Sequence, residues 1–226
     1  MGSVVVMSAR ILITGATRGI GRALFDGYAH AGADVIGTYR DARPGGGRWL
    51  QLEVSDPAAH TAMAAELAGQ PVDLLVCNAG VYLDKGERLD NGYPAQMWAD
   101  TFATNVAGVF LSVQALLLNL RAAKQAKVAI ISSTMASQAQ APGGSYIYRA
   151  SKAAALNIGR NLAVDLLPDG IAVGIYHPGW VQTDMGGASA SISVQAARDG
   201  LMTRFAALSL AASGCFENWD GRPHAF

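Results

Sequence analysis

The sequence predicts an α/β protein built on a doubly wound parallel sheet. Short apolar runs alternate with segments of helical periodicity along most of the chain, which is typical of parallel strands covered by helices on both faces. A glycine-rich turn follows the first apolar run. The 226 residues, 51% of them hydrophobic, are enough for a single domain with a full core.

The predicted strands and helices follow one another in a regular order. Predicted strands cover 10–14, 34–38, 48–54, 72–77, 127–132, 171–176 and 215–218. Predicted helices cover 22–31, 56–67, 97–120, 148–167 and 194–210. The sequence has no linker-like boundary and no internal repeat, so we predict one domain over 1–226.

Composition and charge argue against several functional classes. Lys plus Arg and Asp plus Glu each number 17, so nothing indicates a nucleic-acid or membrane-surface partner. No apolar stretch is long enough for a membrane span. The only cysteines, Cys77 and Cys215, favour free thiols in a reducing compartment, which predicts a cytoplasmic protein. The four scattered histidines lack metal-ligand spacing, so we expect no metal.

The glycine-rich turn from Thr14 to Gly21 lies between the first predicted strand and the first predicted helix. Its glycines allow close approach of a phosphate, and the helix N-terminus offers unpaired N–H groups. The spacing G-x-x-x-G-x-G differs from the G-x-G-x-x-G fingerprint, but the position after the first strand is that of a dinucleotide site. The pattern therefore predicts a Rossmann-type domain that binds NAD(P).

The end of the second predicted strand bears on the choice of cofactor. An acidic residue there binds a ribose 2′-hydroxyl, whereas an arginine accommodates a 2′-phosphate. Arg40 comes before Asp41, and Arg18 in the glycine turn adds a second cation. Two solvated surface arginines are the alternative interpretation. We favour NADP(H), with NAD(H) still possible.

Tyr148 and Lys152 are four residues apart in a segment of helical periodicity, so they share one helix face. A cation one turn away should bring the pKa of Tyr148 down from about 10 toward neutrality. The pair predicts a proton donor and acceptor, provided that a substrate binds beside it. An ordinary pair of surface residues is the alternative.

Six motifs, in this order, resemble the short-chain dehydrogenase/reductase family. They are the Thr14–Gly21 turn, Cys77-Asn78-Ala79-Gly80, Asn105, Ser132-Ser133, the Tyr148 and Lys152 pair, and Pro178-Gly179 followed by Thr183. Residues 179–187 and 214–221 are similar to the carbonyl reductase branch that includes C-factor and sniffer-like proteins. The resemblance implies an NAD(P)-dependent oxidoreductase that forms a homodimer or homotetramer.

The resemblance also implies roles for individual residues. Tyr148 would exchange a proton with the substrate, and Ser133 would hydrogen-bond the substrate oxygen. Asn105 would hold a water that relays protons, and Lys152 would hold the nicotinamide ribose. The cofactor-binding residues that it implies are Gly15, Thr17, Arg18, Gly19, Ile20, Gly21, Arg40, Glu53, Val54, Asn78, Ala79, Gly80, Tyr148, Lys152, Pro178, Gly179, Val181 and Thr183.

Two features depart from the family pattern. Cys77 replaces the first asparagine of the family's Asn-Asn-Ala-Gly motif. The spacing from Ser133 to Tyr148 is slightly longer than usual, which makes Ser132 a competitor for the serine role. Because successive residues of a strand face opposite ways, only one of the two serines can face the site, and we choose Ser133.

These observations predict hydride transfer between NADP(H) and a small carbonyl or alcohol. The alternative is a cofactor-binding sensor or signalling protein of the same fold. We place the substrate loop at about 181–200, and its segment 186–193 consists of small and mostly polar residues. This segment predicts an open substrate site, with candidate walls at Tyr82, Leu83, Met135, Trp180 and Met185.

Overall fold

The structure, a computed structural model, describes residues 9–90 and 92–226. Its centre is a single sheet of parallel strands in the order β3-β2-β1-β4-β5-β6-β7. The strands are β1 (Arg10–Ile13), β2 (Asp34–Tyr39), β3 (Arg48–Gln51), β4 (Leu74–Cys77), β5 (Lys127–Ile131), β6 (Ala172–His177) and β7 (Phe216–Asn218). The predicted doubly wound parallel sheet is confirmed, and its strand order reverses between β1 and β4.

Helices cover both faces of the sheet. They are α1 (Gly19–His30), α2 (Pro57–Leu67), α3 (Ala95–Phe102), α4 (Gly108–Ala115), α5 (Leu117–Arg121), α6 (Tyr146–Asp165) and α7 (Val194–Ala207). Alternate strand residues enter two separate cores, because successive side chains of a strand point to opposite faces. Leu12 packs in the core that contains residues of α2, α4 and α6, whereas Ile11 and Ile13 pack in the core that contains residues of α1 and α7.

The helix predicted without a break over 97–120 is wrong in its middle. A π-helical turn, Ala103–Ala107, separates α3 from α4, and Leu116 separates α4 from α5. The turn contains Asn105, which is fully buried. The Asn105 Nδ2 group donates to the Val81 carbonyl at 2.9 Å, and Val81 N–H donates to Asn105 Oδ1 at 2.8 Å. These two bonds stabilise the irregular turn, as is common where π-turns serve functional sites.

Two other boundaries affect the site. Helix α1 begins at Gly19, inside the glycine turn, rather than at Arg22. Helix α6 begins at Tyr146, so that Tyr148 lies in its first turn, and it ends at Asp165 instead of Leu167. Over the part of the chain that the structure describes, no helix is both long and apolar enough to cross a membrane.

Candidate active site

A cleft of about 790 Å³ lies at the carboxyl ends of the strands, next to the point where the strand order reverses. Open α/β sheets bind their ligands at this position. Its lining includes nearly all of the residues predicted to bind cofactor: Gly15, Thr17, Arg18, Gly19, Ile20, Gly21, Arg40, Glu53, Val54, Asn78, Ala79, Gly80, Tyr148, Lys152, Pro178 and Thr183. The structure therefore brings segments from the whole length of the chain to one site.

Small residues and a side-chain amide hold the glycine turn against β4. Gly15 has a positive φ of 64°, and a Cβ there would lie 2.9 Å from the Ala79 Cα. Asn78 Nδ2 donates to the carbonyls of Thr14 and Gly15, each at 3.0 Å. Larger residues at Gly15 or Ala79 would separate the two segments, so the close approach requires this composition.

The N-terminus of α1 points its backbone into the cleft. Arg18 is the N-cap residue, and its side chain makes no capping bond within the described residues. The first N–H groups of a helix need acceptors from outside the helix, and they lie at the positive end of its dipole. Gly19, Ile20 and Gly21 line the cleft at this point. The residues present thus fit a pyrophosphate, which would supply these acceptors.

Two arginines mark the far end of the cleft. The side chains of Arg18 and Arg40 are 65% and 66% exposed. Arg40 Nε lies 3.0 Å from an Asp41 carboxylate oxygen and 3.9 Å from one of Glu53. Arg18 reaches across to Asp184, with 3.2 Å between Nη1 and Oδ2. Both cations are accessible to a phosphate, but each already has an acidic neighbour.

Two of the four predicted catalytic residues, Tyr148 and Lys152, line the opposite end of the cleft, whereas Ser133 and Asn105 are absent from its lining in the described chain, and all four are buried. Tyr148 is 8% exposed, Ser133 7%, Lys152 5% and Asn105 fully buried. Lys152 Nζ donates to the Ile131 carbonyl at 3.0 Å and lies 5.7 Å from the centre of the Tyr148 ring. Helix α6 therefore places the phenol and the ammonium side by side, as its four-residue spacing predicts.

The expected effect of Lys152 on the pKa of Tyr148 is wrong for this structure. Burial raises the pKa of Tyr148 to about 12, and a hydrogen bond with Ser133 offsets only part of that rise. Burial also lowers the pKa of Lys152, to about 8. At neutral pH Tyr148 therefore keeps its proton and Lys152 keeps its charge, which suits Tyr148 to donate a proton.

The two serines after β5 have different partners. The Ser132 hydroxyl donates to the Lys152 carbonyl at 3.2 Å, although Ser132 also lines the cleft. Ser133 is absent from the cleft lining of the described residues, but its hydroxyl lowers the pKa of Tyr148, and its oxygen accepts from Met135 N–H at 3.1 Å. Ser133 is thus the serine directed at the phenol, while Ser132 fastens β5 to α6.

The Asn105 amide is largely occupied by the protein itself. Besides Val81, its Nδ2 group donates to the Ser151 hydroxyl at 3.0 Å. Both amide hydrogens are thus used, and one lone pair of Oδ1 is free for a further donor. The geometry shows Asn105 holding the backbone beside Gly80, and its role with a relay water stays a prediction.

Gly179 and Val181 are the two predicted cofactor-binding residues that are absent from the cleft lining of the described chain. Val181 is buried and pairs with Ile192, while the site of a Gly179 Cβ would touch Ile192 and Trp219. Both residues pack within the turn after β6 and do not reach the cleft lining. Their contact with cofactor also stays a prediction.

Sequence reasoning missed Thr38 and Asp84. The Thr38 hydroxyl accepts from Gly15 N–H at 3.0 Å and so ties the glycine turn to β2. The Asp84 carboxylate is fully buried and accepts from Ile147 N–H at 2.8 Å, at the start of α6. A lone acid between Leu83 and Lys85 looks like a surface residue, so no pattern in the sequence could have identified it.

Comparison with known proteins agrees with this geometry. A family model described as short chain dehydrogenase matches residues 9–191. The 3-oxoacyl-[acyl-carrier-protein] reductase FabG of Escherichia coli (strain K12) is 32% identical over 185 residues, which cover 77% of this chain and 74% of FabG. C-signal of Myxococcus xanthus is 38% identical over 161 residues, which cover 71% of this chain and 96% of C-signal.

Solved structures place the chain in the carbonyl reductase branch. An NADPH-bound carbonyl reductase from chicken fatty liver superposes with a TM-score of 0.89 at 29% identity, over 98% of this chain and 100% of that one. Carbonyl reductase Sniffer of D. melanogaster gives 0.90 at 28% identity, over 97% and 100%. The resemblance read from the motifs is confirmed: the chain belongs to the short-chain dehydrogenase/reductase family of NAD(P)-dependent oxidoreductases.

Proposed function

We propose that this protein reduces a small carbonyl compound to an alcohol with NADPH, with Tyr148 as the proton donor. The observation that carries the proposal is the Tyr148 phenol at the cleft wall, with Lys152 one helical turn away and with Ser133 near enough to lower its pKa. Its pKa of about 12 keeps the proton on the phenol at neutral pH, which favours reduction over oxidation.

Each of the four predicted catalytic residues would have its own role in the reaction. Ser133 donates a hydrogen bond to the substrate oxygen and stabilises the negative charge that develops there. Tyr148 gives its proton to the same oxygen, while bound NADPH supplies the hydride to the carbonyl carbon. Lys152 holds the nicotinamide ribose and keeps a positive charge beside the phenol, and Asn105 holds the relay water.

NADP(H) is the proposed cofactor because two cations lie where a 2′-phosphate would be placed. Arg40 follows β2 directly, and Arg18 lies opposite it in the glycine turn. The NADPH in the chicken carbonyl reductase agrees with this choice. Pro178 and Thr183, which line the cleft, would contact the nicotinamide. Gly179 and Val181 would act indirectly, because they fix the conformation of the turn after β6.

The substrate is proposed to be small and apolar or aromatic. Of the five candidate walls, Met185 lines the cleft, whereas Leu83 and Trp180 lie outside its lining and are 43% and 52% exposed. The loop over about 181–200 would cover the substrate. Trp180 Nε1 donates to the Gly186 carbonyl at 2.9 Å, and Gln182 N–H donates to Ile192 at 2.9 Å. Gln182 Nε2 also donates to the Ala190 carbonyl at 3.0 Å, and Ala190 is buried, so the small residues of the loop are held against the turn after β6.

The test is NADPH oxidation by the purified protein with a panel of aldehydes, ketones and quinones. We expect saturable turnover with small apolar members and one alcohol formed per NADPH consumed. NADH in place of NADPH should give a higher KM. If no panel member is reduced, or if only steroid-sized and lipid substrates are reduced, the proposal fails.

A second candidate is a cofactor-binding sensor or signalling protein, and the similarity to C-signal favours it. A measurement of turnover distinguishes the two candidate functions. Tight NADPH binding without reduction of any carbonyl, and with an unchanged melting temperature in Tyr148→Phe, would favour the sensor. Turnover that disappears in Tyr148→Phe would favour the enzyme.

We also propose that the protein is a cytoplasmic homo-oligomer. Phe110, Leu118 and Val164, on α4, α5 and α6, are 42%, 73% and 70% exposed. Large apolar side chains exposed on neighbouring helices are typical of an interface between identical subunits. Sedimentation at micromolar concentration should give the mass of a dimer or tetramer, and the mass of one chain would contradict it.

A further inference from the structure

The catalytic helix α6 begins without a cap of its own. Ser145 is the N-cap residue, with a left-handed φ of 48°, and its side chain makes no capping bond within the described residues. Its hydroxyl instead pairs with the Tyr82 hydroxyl. The first intrahelical bond runs from Arg149 N–H to the Ser145 carbonyl. The N–H groups of Ile147 and Tyr148 therefore need acceptors from elsewhere in the fold.

Asp84 supplies both acceptors, although it lies more than sixty residues earlier in the chain. Its Oδ2 atom accepts from Ile147 N–H at 2.8 Å, and its Oδ1 atom accepts from Tyr148 N–H at 3.2 Å. The residue is fully buried. A carboxylate at this position also interacts favourably with the positive end of the helix dipole. The backbone of Tyr148 is thus bonded directly to a buried acid.

The residues next to Asp84 hold the Tyr148 side chain as well. The Tyr82 ring stacks on the Tyr148 ring, with centroids 4.2 Å apart and planes 20° apart. Val81 is fixed by its two hydrogen bonds to Asn105. We call Val81–Asp84 the clamp segment, because it contacts Asn105 at one end and both the ring and the backbone of Tyr148 at the other.

We propose that Asp84 is a positioning residue for Tyr148, which acts by fixing the first turn of α6 through its two backbone hydrogen bonds. Together with the stacked Tyr82, it sets where the phenol lies relative to Ser133 and Lys152. The inference rests on the proposed function, since it assumes that Tyr148 donates the proton. It assigns to a residue of the loop after Gly80 a role that the catalytic motifs do not include.

Four groups around the phenol determine what loss of the Asp84 charge does. Ser133 lowers the pKa of Tyr148 by its hydrogen bond, and the Lys152 ammonium lies 5.7 Å from the ring centre. The Tyr82 ring stacks on the phenol ring, and the Asp84 carboxylate adds to the rise in the pKa of Tyr148 that burial chiefly causes. Replacing Asp84 with a neutral residue therefore lowers the pKa of Tyr148, and a merely structural role would not produce that change.

The first measurement is residue-resolved amide hydrogen exchange, which needs no substrate. In Asp84→Ala, exchange at Ile147 and Tyr148 should accelerate roughly tenfold or more, with a smaller change in Asp84→Asn, which keeps one acceptor oxygen. Asp73→Asn is the matched control, because Asp73 accepts from Arg10 N–H at 2.7 Å at the amino ends of the central strands β1 and β4, whereas the cleft lies at the carboxyl ends. Exchange at the first turn of α6 that equals wild type in both Asp84 variants overturns the proposal. If Asp84→Ala does not fold, Asp84→Asn decides it.

The second measurement is the steady-state kinetics of carbonyl reduction. We expect kcat to fall at least about tenfold in Asp84→Asn, because a misplaced donor reacts slowly, with KM within about threefold. Asp73→Asn should keep kcat within about twofold of wild type, even where its melting temperature falls as far as that of Asp84→Asn. Equal kcat values in the two variants would leave only a structural role for Asp84 and overturn the proposal.

The two measurements distinguish failure of this inference from failure of the proposed function. Wild-type protein that reduces no carbonyl refutes the proposed function, and the positioning role falls with it, although the exchange data still show whether Asp84 holds α6. Wild-type protein that is active, with Asp84 variants of unchanged exchange and unchanged kcat, refutes the positioning role alone.

Discussion

The two ends of the cleft are built in opposite ways. At the end that contains the predicted catalytic residues, which we call the catalytic end, Tyr148 and Lys152 are almost completely buried and are held by hydrogen bonds from two other segments of the chain. At the end that contains Arg18 and Arg40, which we call the arginine end, these two side chains are about two-thirds exposed and are paired with neighbouring acids. One end depends on fixed geometry in a poorly solvated site, and the other depends on charge in water.

This difference has energetic consequences. Burial at the catalytic end moves the pKa of Tyr148 up to about 12 and that of Lys152 down to about 8. Exposed ion pairs at the arginine end are screened by water and salt, so each contributes about 1 kcal/mol or less. Substitutions should therefore have large, salt-independent effects at the catalytic end, and small, salt-dependent effects at the arginine end.

After substitution of Tyr148 itself, the largest effect is expected from the serine pair. Ser133→Ala should lower kcat about 10²- to 10³-fold, because it removes the donor to the developing oxyanion. Ser132→Ala should lower kcat only a few-fold, since it removes a bond to the Lys152 carbonyl and nothing at the phenol. Steady-state kinetics of both variants at saturating NADPH would measure this. The reverse ranking would assign the serine role to Ser132.

The stability of the protein at low pH tests the effect of burial on His177, the last residue of β6. Burial, and secondarily the neighbouring His224, lower the pKa of His177 to about 4. An unfolded histidine titrates near pH 6.5, so the unfolded chain binds the extra proton between these values. The contribution of His177 to the free energy of unfolding is complete above about pH 6.5, and it is lost as pH falls toward 4. Urea unfolding should show a loss of roughly 2 kcal/mol between pH 7 and 4.5 that is missing in His177→Gln.

The control for His177 is His30→Gln, because His30 lies exposed at the end of α1. That variant should lose stability with acid as the wild type does. A His177→Gln protein with the same acid dependence as the wild type would show that another group is responsible.

Substitution of an exposed arginine should have a smaller effect, and this effect should be on cofactor affinity. Arg40→Ala should weaken NADPH binding about tenfold, or about 1.4 kcal/mol, and should leave NADH binding within about twofold. Titration at low and high salt should show that the difference between variant and wild type shrinks as salt rises. Arg222→Ala is the control, since Arg222 is an exposed arginine that pairs with Asp220. An equal loss of NADH affinity would contradict a 2′-phosphate role for Arg40.

The smallest expected effect is a gain in NADPH affinity rather than a loss. Asp184 pairs with Arg18 across the cleft at 3.2 Å. Asp184→Asn frees that arginine for a phosphate, so NADPH affinity should rise about two- to threefold at low salt. The rise should disappear in Arg18→Ala/Asp184→Asn. Weaker NADPH binding in the single variant would mean that Asp184 helps to hold the cofactor rather than competing for Arg18.

Much of the fold and of the site could be predicted because both follow local rules. Alternating apolar runs and helical segments predict the parallel sheet, and residues at the ends of parallel strands meet at one edge. The π-turn at 103–107 could not be predicted, since the helical periodicity continues through Asn105. The capping role of Asp84 and the raised pKa of Tyr148 depend on burial and long-range contacts, which spacing along the chain does not contain.

The most direct test of the account is the rate of NADPH-dependent carbonyl reduction by Tyr148→Phe at saturating cofactor, with Tyr146→Phe as the control. Tyr146 lies two residues earlier on α6 and is 41% exposed. We predict that Tyr148→Phe loses about 10²- to 10⁴-fold in kcat and binds NADPH within about threefold of wild type, whereas Tyr146→Phe keeps its activity. A Tyr148→Phe protein that keeps more than about half of the wild-type rate would contradict the assignment of Tyr148 as the proton donor.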